Sequence, residues 1–267
     1  MRDIDKFFNL TEWKNRIHLV YWMAIHNIIN PTADKTIGVY PCCGADALVF
    51  FLTTDVETAY FVDSMAFGHE EQMTGMHTSV SPEFYWEHKA LGGNLGGGFS
   101  WTSLLEATRY LIIPLHWELE AMGAKNVLIA QIEENVHQID FDWAYWGEEQ
   151  TRHRRIMFFS KVDTRFPGQY PDRLKSLLSG GVDLYMEKAA KDQYAQYNAP
   201  LDWGKRWDQF RTFTKFNLAS VIITTQIPED GVSEFKLIED DTLKEHERNG
   251  AKFGVWTAAL MIKQQPT

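Results

Sequence analysis

The chain has 267 residues, the length of one large domain, and its 45% hydrophobic residues are enough for a packed core. Its net charge of −10 argues against nucleic-acid binding, which needs a basic face. No run approaches the roughly 20 apolar residues of a membrane span. The adjacent cysteines Cys42 and Cys43 are poorly placed to bond to each other. We therefore expect a cytoplasmic protein that acts on a small molecule, without nucleic-acid or membrane partners.

The first predicted elements are one helix and two strands. Apolar residues recur at steps of three to four over residues 12–29, which predicts an amphipathic helix. A strand at Ile37–Tyr40 then runs into a turn of small residues, and a second strand at Ala59–Val62 ends on Asp63. Both strands are continuously apolar, which is typical of strands covered on both faces of a parallel sheet.

Residues 65–150 differ in composition from both flanks, and we interpret them as an insertion that forms the substrate subregion. The glycine-rich run Leu91–Phe99 lacks the Gly-Lys-Ser/Thr ending of a P-loop, so a lid or a tight turn is favoured over phosphate binding. A helix is predicted over Ser103–Met122. Two strands, Asn126–Ile132 and Val136–Trp143, are predicted around a polar turn.

Strands and helices alternate again in the last part of the chain. The basic cluster Arg152–Arg155 precedes them, and we expect it to lie in a solvated loop. The elements predicted after it are strands at Ile156–Phe159, Val182–Met186, Ala219–Thr225, Glu234–Ile238 and Phe253–Ile262, and helices at Pro171–Leu178 and Trp203–Phe216.

The turn Thr36–Asp46 and the acid Asp63 form the strongest candidate site. Asp63 follows Gly44 by 19 positions, close to the offset of about 20 residues at which a βαβ nucleotide-binding unit places its ribose-binding carboxylate. These residues predict a nucleoside-type cofactor site. Structural roles stay open as alternatives: Gly44 as an ordinary turn residue, Asp46 as a helix N-cap, and Asp63 as a cap or a solvated strand end.

The pattern resembles the class I S-adenosylmethionine-dependent methyltransferases. The run Val39–Asp46 is similar to their first motif, with a single glycine and with Tyr40-Pro41 where the family carries an acid. The resemblance makes Asp63 the ribose-binding acid, and Asp163 the acid that often reads the adenine amino group, although loop solvation also explains Asp163. The cofactor-binding residues that the resemblance implies are Tyr40, Pro41, Cys42, Gly44, Asp46, Asp63 and Asp163.

The resemblance also implies a fold. We expect a single α/β domain over residues 1–267, built on a mostly parallel twisted sheet of the Rossmann-like methyltransferase type. A C-terminal antiparallel strand pair and a large insertion after strand two complete this expectation. The oligomeric state is left open by the sequence.

The function implied by the resemblance is methyl transfer from S-adenosylmethionine to a small-molecule acceptor. After Tyr185 the sequence continues Met-Glu-Lys-Ala, and not with the Asp/Asn-Pro-Pro-Tyr motif that marks methylation of base amines. The alternative is a non-catalytic module that binds a nucleoside or a protein. A nicotinamide-dependent oxidoreductase ranks lower because a G-x-G-x-x-G turn is absent. Neither zinc-type histidine spacing nor a nucleophile elbow is found, so no metal and no covalent triad are predicted, and the catalytic residues are unassigned.

Overall fold

Most of the described chain builds one nine-stranded sheet with helices packed against it. The computed structural model describes residues 37–43, 50, 56–64, 94–95, 99–100, 112–144, 150–187, 202–224, 235–237 and 259–263. The strands are β1 (Ile37–Pro41), β2 (Thr58–Val62), β3 (Asn94–Leu95), β4 (Phe99–Ser100), β5 (Lys125–Glu133), β6 (Val136–Ala144), β7 (Thr151–Phe159), β8 (Val182–Glu187), β9 (Phe216–Thr224), β10 (Phe235–Leu237) and β11 (Ala259–Lys263). The helices in these ranges are α1 (Ile112–Ala121), α2 (Asp172–Ser179) and α3 (Trp203–Arg211).

The strand order of the main sheet is β10-β11-β9-β8-β1-β2-β7-β6-β5. Its five central strands are β9, β8, β1, β2 and β7, and each of them runs parallel to its neighbours in this group. The two strands added on each flank pair antiparallel: β6 and β5 beyond β7, and β11 and β10 beyond β9. The short strands β3 and β4 form a separate antiparallel hairpin.

The expectation of a mostly parallel, Rossmann-like methyltransferase sheet is therefore wrong. Half of the neighbour pairings in the main sheet are antiparallel, and the described residues are richer in strand than in helix. The physical reason lies in the predicted insertion. Its strands β5 and β6 turn tightly at Glu134-Asn135, and β6 then pairs along its whole length with β7. The insertion thus extends the main sheet with an antiparallel meander.

The individual strand predictions for Ile37–Tyr40, Ala59–Val62 and Val182–Met186 are confirmed to within two residues. The helix predicted at Pro171–Leu178 is shifted by one residue in the structure: α2 spans Asp172–Ser179, with Pro171 as its N-cap. The predicted helix at Trp203–Phe216 is too long, because α3 ends at Arg211 and Phe216 already opens β9. The helix predicted over residues 12–29 lies outside the described residues. None of the helices in the described ranges is long and apolar enough to cross a membrane.

The basic cluster Arg152–Arg155 is part of a strand, and its prediction as a solvated loop is wrong. It forms the first half of β7 and pairs with β6. Arg154 is buried and donates from Nη1 to the carbonyl oxygen of Val56 at 2.9 Å. Arg155 bonds through Nε to Asp140 Oδ1 at 2.7 Å. Alternating side chains of a strand face opposite sides, so one arginine is buried while its neighbour reaches solvent.

Both faces of the central strands carry buried aromatic side chains. On one face the Phe61 ring stacks on Phe158 and meets Phe50 edge to face, with centroids 5.5 and 5.3 Å apart. Gly38 leaves room for this cluster, since a Cβ there would lie 2.7 Å from Phe50 Cζ. On the other face α2 and α3 contribute to a second core, in which Tyr185 contacts Trp207 and other rings. The central strands are thus packed against side chains on both faces, and this packing fixes the positions of their ends.

Candidate functional site

The candidate site lies at the carboxyl ends of β1, β2 and β8. After β1 the chain moves outward to β2 and then to β7, and it returns to the opposite side of β1 at β8. In open sheets covered by helices, ligands bind outside the carboxyl ends of the strands where the strand order reverses in this way. This position is therefore the first place to look for a ligand site.

Backbone hydrogen bonds hold the exits of the three neighbouring strands β1, β2 and β7 together. Cys42 N–H donates to the Val62 carbonyl at 2.8 Å, and Asp63 N–H donates to the Phe159 carbonyl at 3.1 Å. The carbonyl of Asp63 in turn accepts from Val162 N–H at 3.0 Å. Cys42 has a φ of 57°, so the chain turns sharply as it leaves β1. These bonds place Asp63, which is 8% exposed, beside the turn after β1.

The other predicted cofactor-binding residues are not all equivalent in the structure. The Tyr40 side chain is in the core, 6.0 Å from Phe50 and 6.2 Å from Phe61 between ring centroids. Pro41 is buried at the end of β1. Gly44 and Asp46 lie outside the described residues.

Asp163 is close to the site but its carboxylate is engaged. Arg165 donates from Nε to Asp163 Oδ1 at 2.9 Å and from Nη2 to Oδ2 at 2.5 Å. These side-chain hydrogen bonds lower the pKa of Asp163 below its ordinary value. If Asp163 bound an adenine amino group, its carboxylate would have to accept from that group and from Arg165 at the same time.

A buried polar cluster behind the strand ends was not found from the sequence. Its centre is Arg206 on α3, which forms an ion pair through Nη1 with Glu187 at the end of β8. Arg206 Nε donates to the Thr164 carbonyl at 2.6 Å, and the Tyr185 hydroxyl donates to Glu187 Oε2 at 2.6 Å. Burial alone would lower the pKa of Arg206, but the negative charge of Glu187 raises it well above its ordinary value. The guanidinium therefore stays charged although it is buried.

The Cys42 thiol connects this cluster with the strand ends. Its Sγ lies 2.6 Å from Thr164 Oγ1, and the charges of Arg206, Glu187 and Asp63 all act on it. Burial raises the pKa of Cys42 to about 11, and the opposing effect of Arg206 is smaller. Because the thiolate is the reactive form, Cys42 is protonated near neutral pH and is not a nucleophile.

We expect both cysteines to resist modification in the folded protein. Cys42 and Cys43 are buried thiols outside any disulfide, so a disulfide reagent at neutral pH should react slowly with the native chain. After unfolding it should react fast, with two thiols. Counting released chromophore in both states measures this. Stoichiometric labelling of the native protein within seconds would contradict the burial and raised pKa of Cys42.

Weak signals for the cluster were present in the sequence. Tyr185 and Glu187 are two residues apart on one strand, so their side chains share a face. Glu187 ends a strand in which every other residue except Asp183 is apolar or aromatic, which indicates a buried acid that needs a cation. Arg206 and Phe210 are four residues apart, so they share one face of α3, the face that is buried.

In the described part of the chain, no group of three or more His, Cys, Asp and Glu side chains is placed to hold a metal ion. The acidic and histidine-containing run at His69–Glu71 lies outside the described residues.

The chain matches no protein-family model and no curated protein.

Proposed function

We propose that the chain binds S-adenosylmethionine at the carboxyl ends of β1 and β2 and transfers its methyl group to a small acceptor. The observation that carries this proposal is the position of Asp63, whose backbone is fixed beside the turn after β1 at the reversal of the strand order. A carboxylate in that position can accept two hydrogen bonds from the vicinal hydroxyls of a ribose.

The surroundings of Asp63 are charged. The charges of Asp63, Arg206 and Glu187 all act on the Cys42 thiol at the exit of β1. The acidic net charge of −10 is compatible with a cationic sulfonium ligand.

S-Adenosylmethionine would supply a methyl group that is already activated on its sulfonium sulfur. The protein then has to hold the acceptor in line with that methyl group and keep water out. Asp63 would fix the ribose, and the rigid ends of β1 and β2 would fix its distance from the acceptor. No strong general base is needed when the acceptor is already nucleophilic.

Replacing Asp63 by alanine is expected to weaken S-adenosylmethionine binding by about 1–3 kcal/mol, the cost of leaving polar ligand groups without a partner. Titration calorimetry on wild type and on Asp63→Ala measures this, with circular dichroism to show that both are folded. Asp208→Ala is the matched control, since Asp208 is exposed on α3, and it should leave the affinity unchanged.

Two results separate the proposal from its alternative. Formation of S-adenosylhomocysteine in the presence of candidate acceptors supports methyl transfer. Binding without any turnover would instead favour a non-catalytic nucleoside-binding module. Equal affinity of the folded wild type and Asp63→Ala, or no binding to either, contradicts the proposed site.

A cytoplasmic location accompanies this proposal. Cys42 and Cys43 are buried and are not joined in a disulfide, and reduced cysteines are typical of the cytosol.

A further inference from the structure

The outermost strand β5 exposes an unusual amount of apolar surface at the edge of the main sheet. No strand in the described ranges pairs with its outer side. Its side chains are mostly exposed, and Leu128 reaches 68% exposure and Ile132 36%. Leu128 and Ala130 are two positions apart in the regular part of the ladder, so they share one face. An exposed apolar edge strand is a template for pairing with another chain.

The usual protection of such an edge is confined to the ends of β5. Lys125 and Glu133 are its only charged residues, and residues 126–132 contain neither a charge nor a proline. The register against β6 shifts between Lys125 and Leu128 and again between Gln131 and Glu133. Between these shifts the ladder is regular from Leu128 to Gln131, which leaves a central segment suited to pairing.

We propose that a second copy of this chain pairs with β5 through an antiparallel edge contact, centred on Ile129, which joins the two main sheets. In a two-fold arrangement the same strand meets itself in the opposite direction. With Ile129 opposite the partner's Ile129, Leu128 lies opposite the partner's Ala130. The apolar side chains of both copies then share one continuous face.

The opposite charges at the two ends of β5 favour a second copy of this chain over an unrelated strand as the partner. The same register brings Lys125 toward the partner's Glu133 at one end, and two-fold symmetry repeats this contact at the other end. Arg173 Nη1 donates to Glu133 Oε1 at 2.6 Å, and in the proposed dimer the partner's Lys125 would donate to the same carboxylate. Like charges would be brought together if the two strands ran parallel in register.

Analytical ultracentrifugation of the full chain over a wide concentration range tests the proposal. We expect a reversible dimer for wild type and a roughly tenfold or larger increase in the dimer dissociation constant for Leu128→Lys, because each symmetric dimer loses two cross-strand apolar pairs. Phe166→Lys is the matched control, since Phe166 is also an exposed apolar residue, at 40%, and lies outside β5, in the connection between β7 and α2. It should dimerise like wild type.

A charge exchange tests the register itself. Lys125→Glu and Glu133→Lys should each weaken the dimer, since each places like charges opposite one another, while the double variant should restore it. A monomeric wild type, a Leu128→Lys variant that dimerises as well as wild type, or a double variant that fails to recover would each overturn the proposal. Leu128 is mostly exposed, so the melting temperature of Leu128→Lys should match that of the wild-type monomer.

Discussion

Replacing Arg206 by methionine is expected to lower the free energy of unfolding by about 3–5 kcal/mol, because it leaves the buried carboxylate of Glu187 without its cation. The substitution also removes the hydrogen bond from Arg206 Nε to the Thr164 carbonyl. Methionine is flexible and apolar, so it fills much of the same space and keeps the packing of α3. Guanidinium denaturation followed by circular dichroism measures the change.

Two comparisons show whether the loss comes from the unpaired charge. The double variant Arg206→Met/Glu187→Gln should be more stable than Arg206→Met alone, since the neutral amide can still accept from the Tyr185 hydroxyl. Arg155→Met breaks a partly exposed pair with Asp140 and should cost only about 0–1 kcal/mol. Equal losses for Arg206→Met and Arg155→Met would show that the buried pair has no special weight.

Replacing Phe61 by alanine is also expected to cost about 3–5 kcal/mol, the usual range for a fully buried phenylalanine. Phe61 has no exposed surface. It stacks on Phe158 with centroids 5.5 Å apart and meets Phe50 edge to face at 5.3 Å. The rigid strands around it cannot close the cavity, so the lost contacts add to the lost burial.

Phe166→Ala provides the comparison for this prediction. Phe166 is 40% exposed and its ring contacts the Arg165 guanidinium, 5.2 Å from the ring centroid, so its removal should cost about 1 kcal/mol or less. Thermal unfolding of both variants ranks the two effects. A Phe61→Ala variant as stable as Phe166→Ala would mean that the sheet relaxes around the missing ring.

The positions of the central strands could be predicted because their residues are apolar on both faces. Ile37–Tyr40 and Ala59–Val62 are short continuous apolar runs, and the structure places them side by side and parallel. Asp63 could be singled out for the same reason, since an acid directly after such a run has to lie at a strand end.

The neighbours of each strand could not be predicted, because pairing depends on contacts between distant parts of the chain. Nothing local in Arg152–Arg155 shows that the Val56 carbonyl is available to bond Arg154 inside the sheet. The pairing of Glu187 with Arg206 likewise depends on how α3 folds back over β8. Local pattern therefore located the candidate acid at 63 but missed the charged cluster behind it.

The strand order has a consequence for how the chain folds. Ile37 on β1 bonds to the Asp183 side chain on β8, 146 positions later, whereas β5, β6 and β7 follow one another along the chain. Closing a long loop costs entropy before any contact offsets it, and distant pairings slow folding. We therefore expect the meander to assemble before β1 pairs with β8, so that the strand ends of the candidate site come together late in folding.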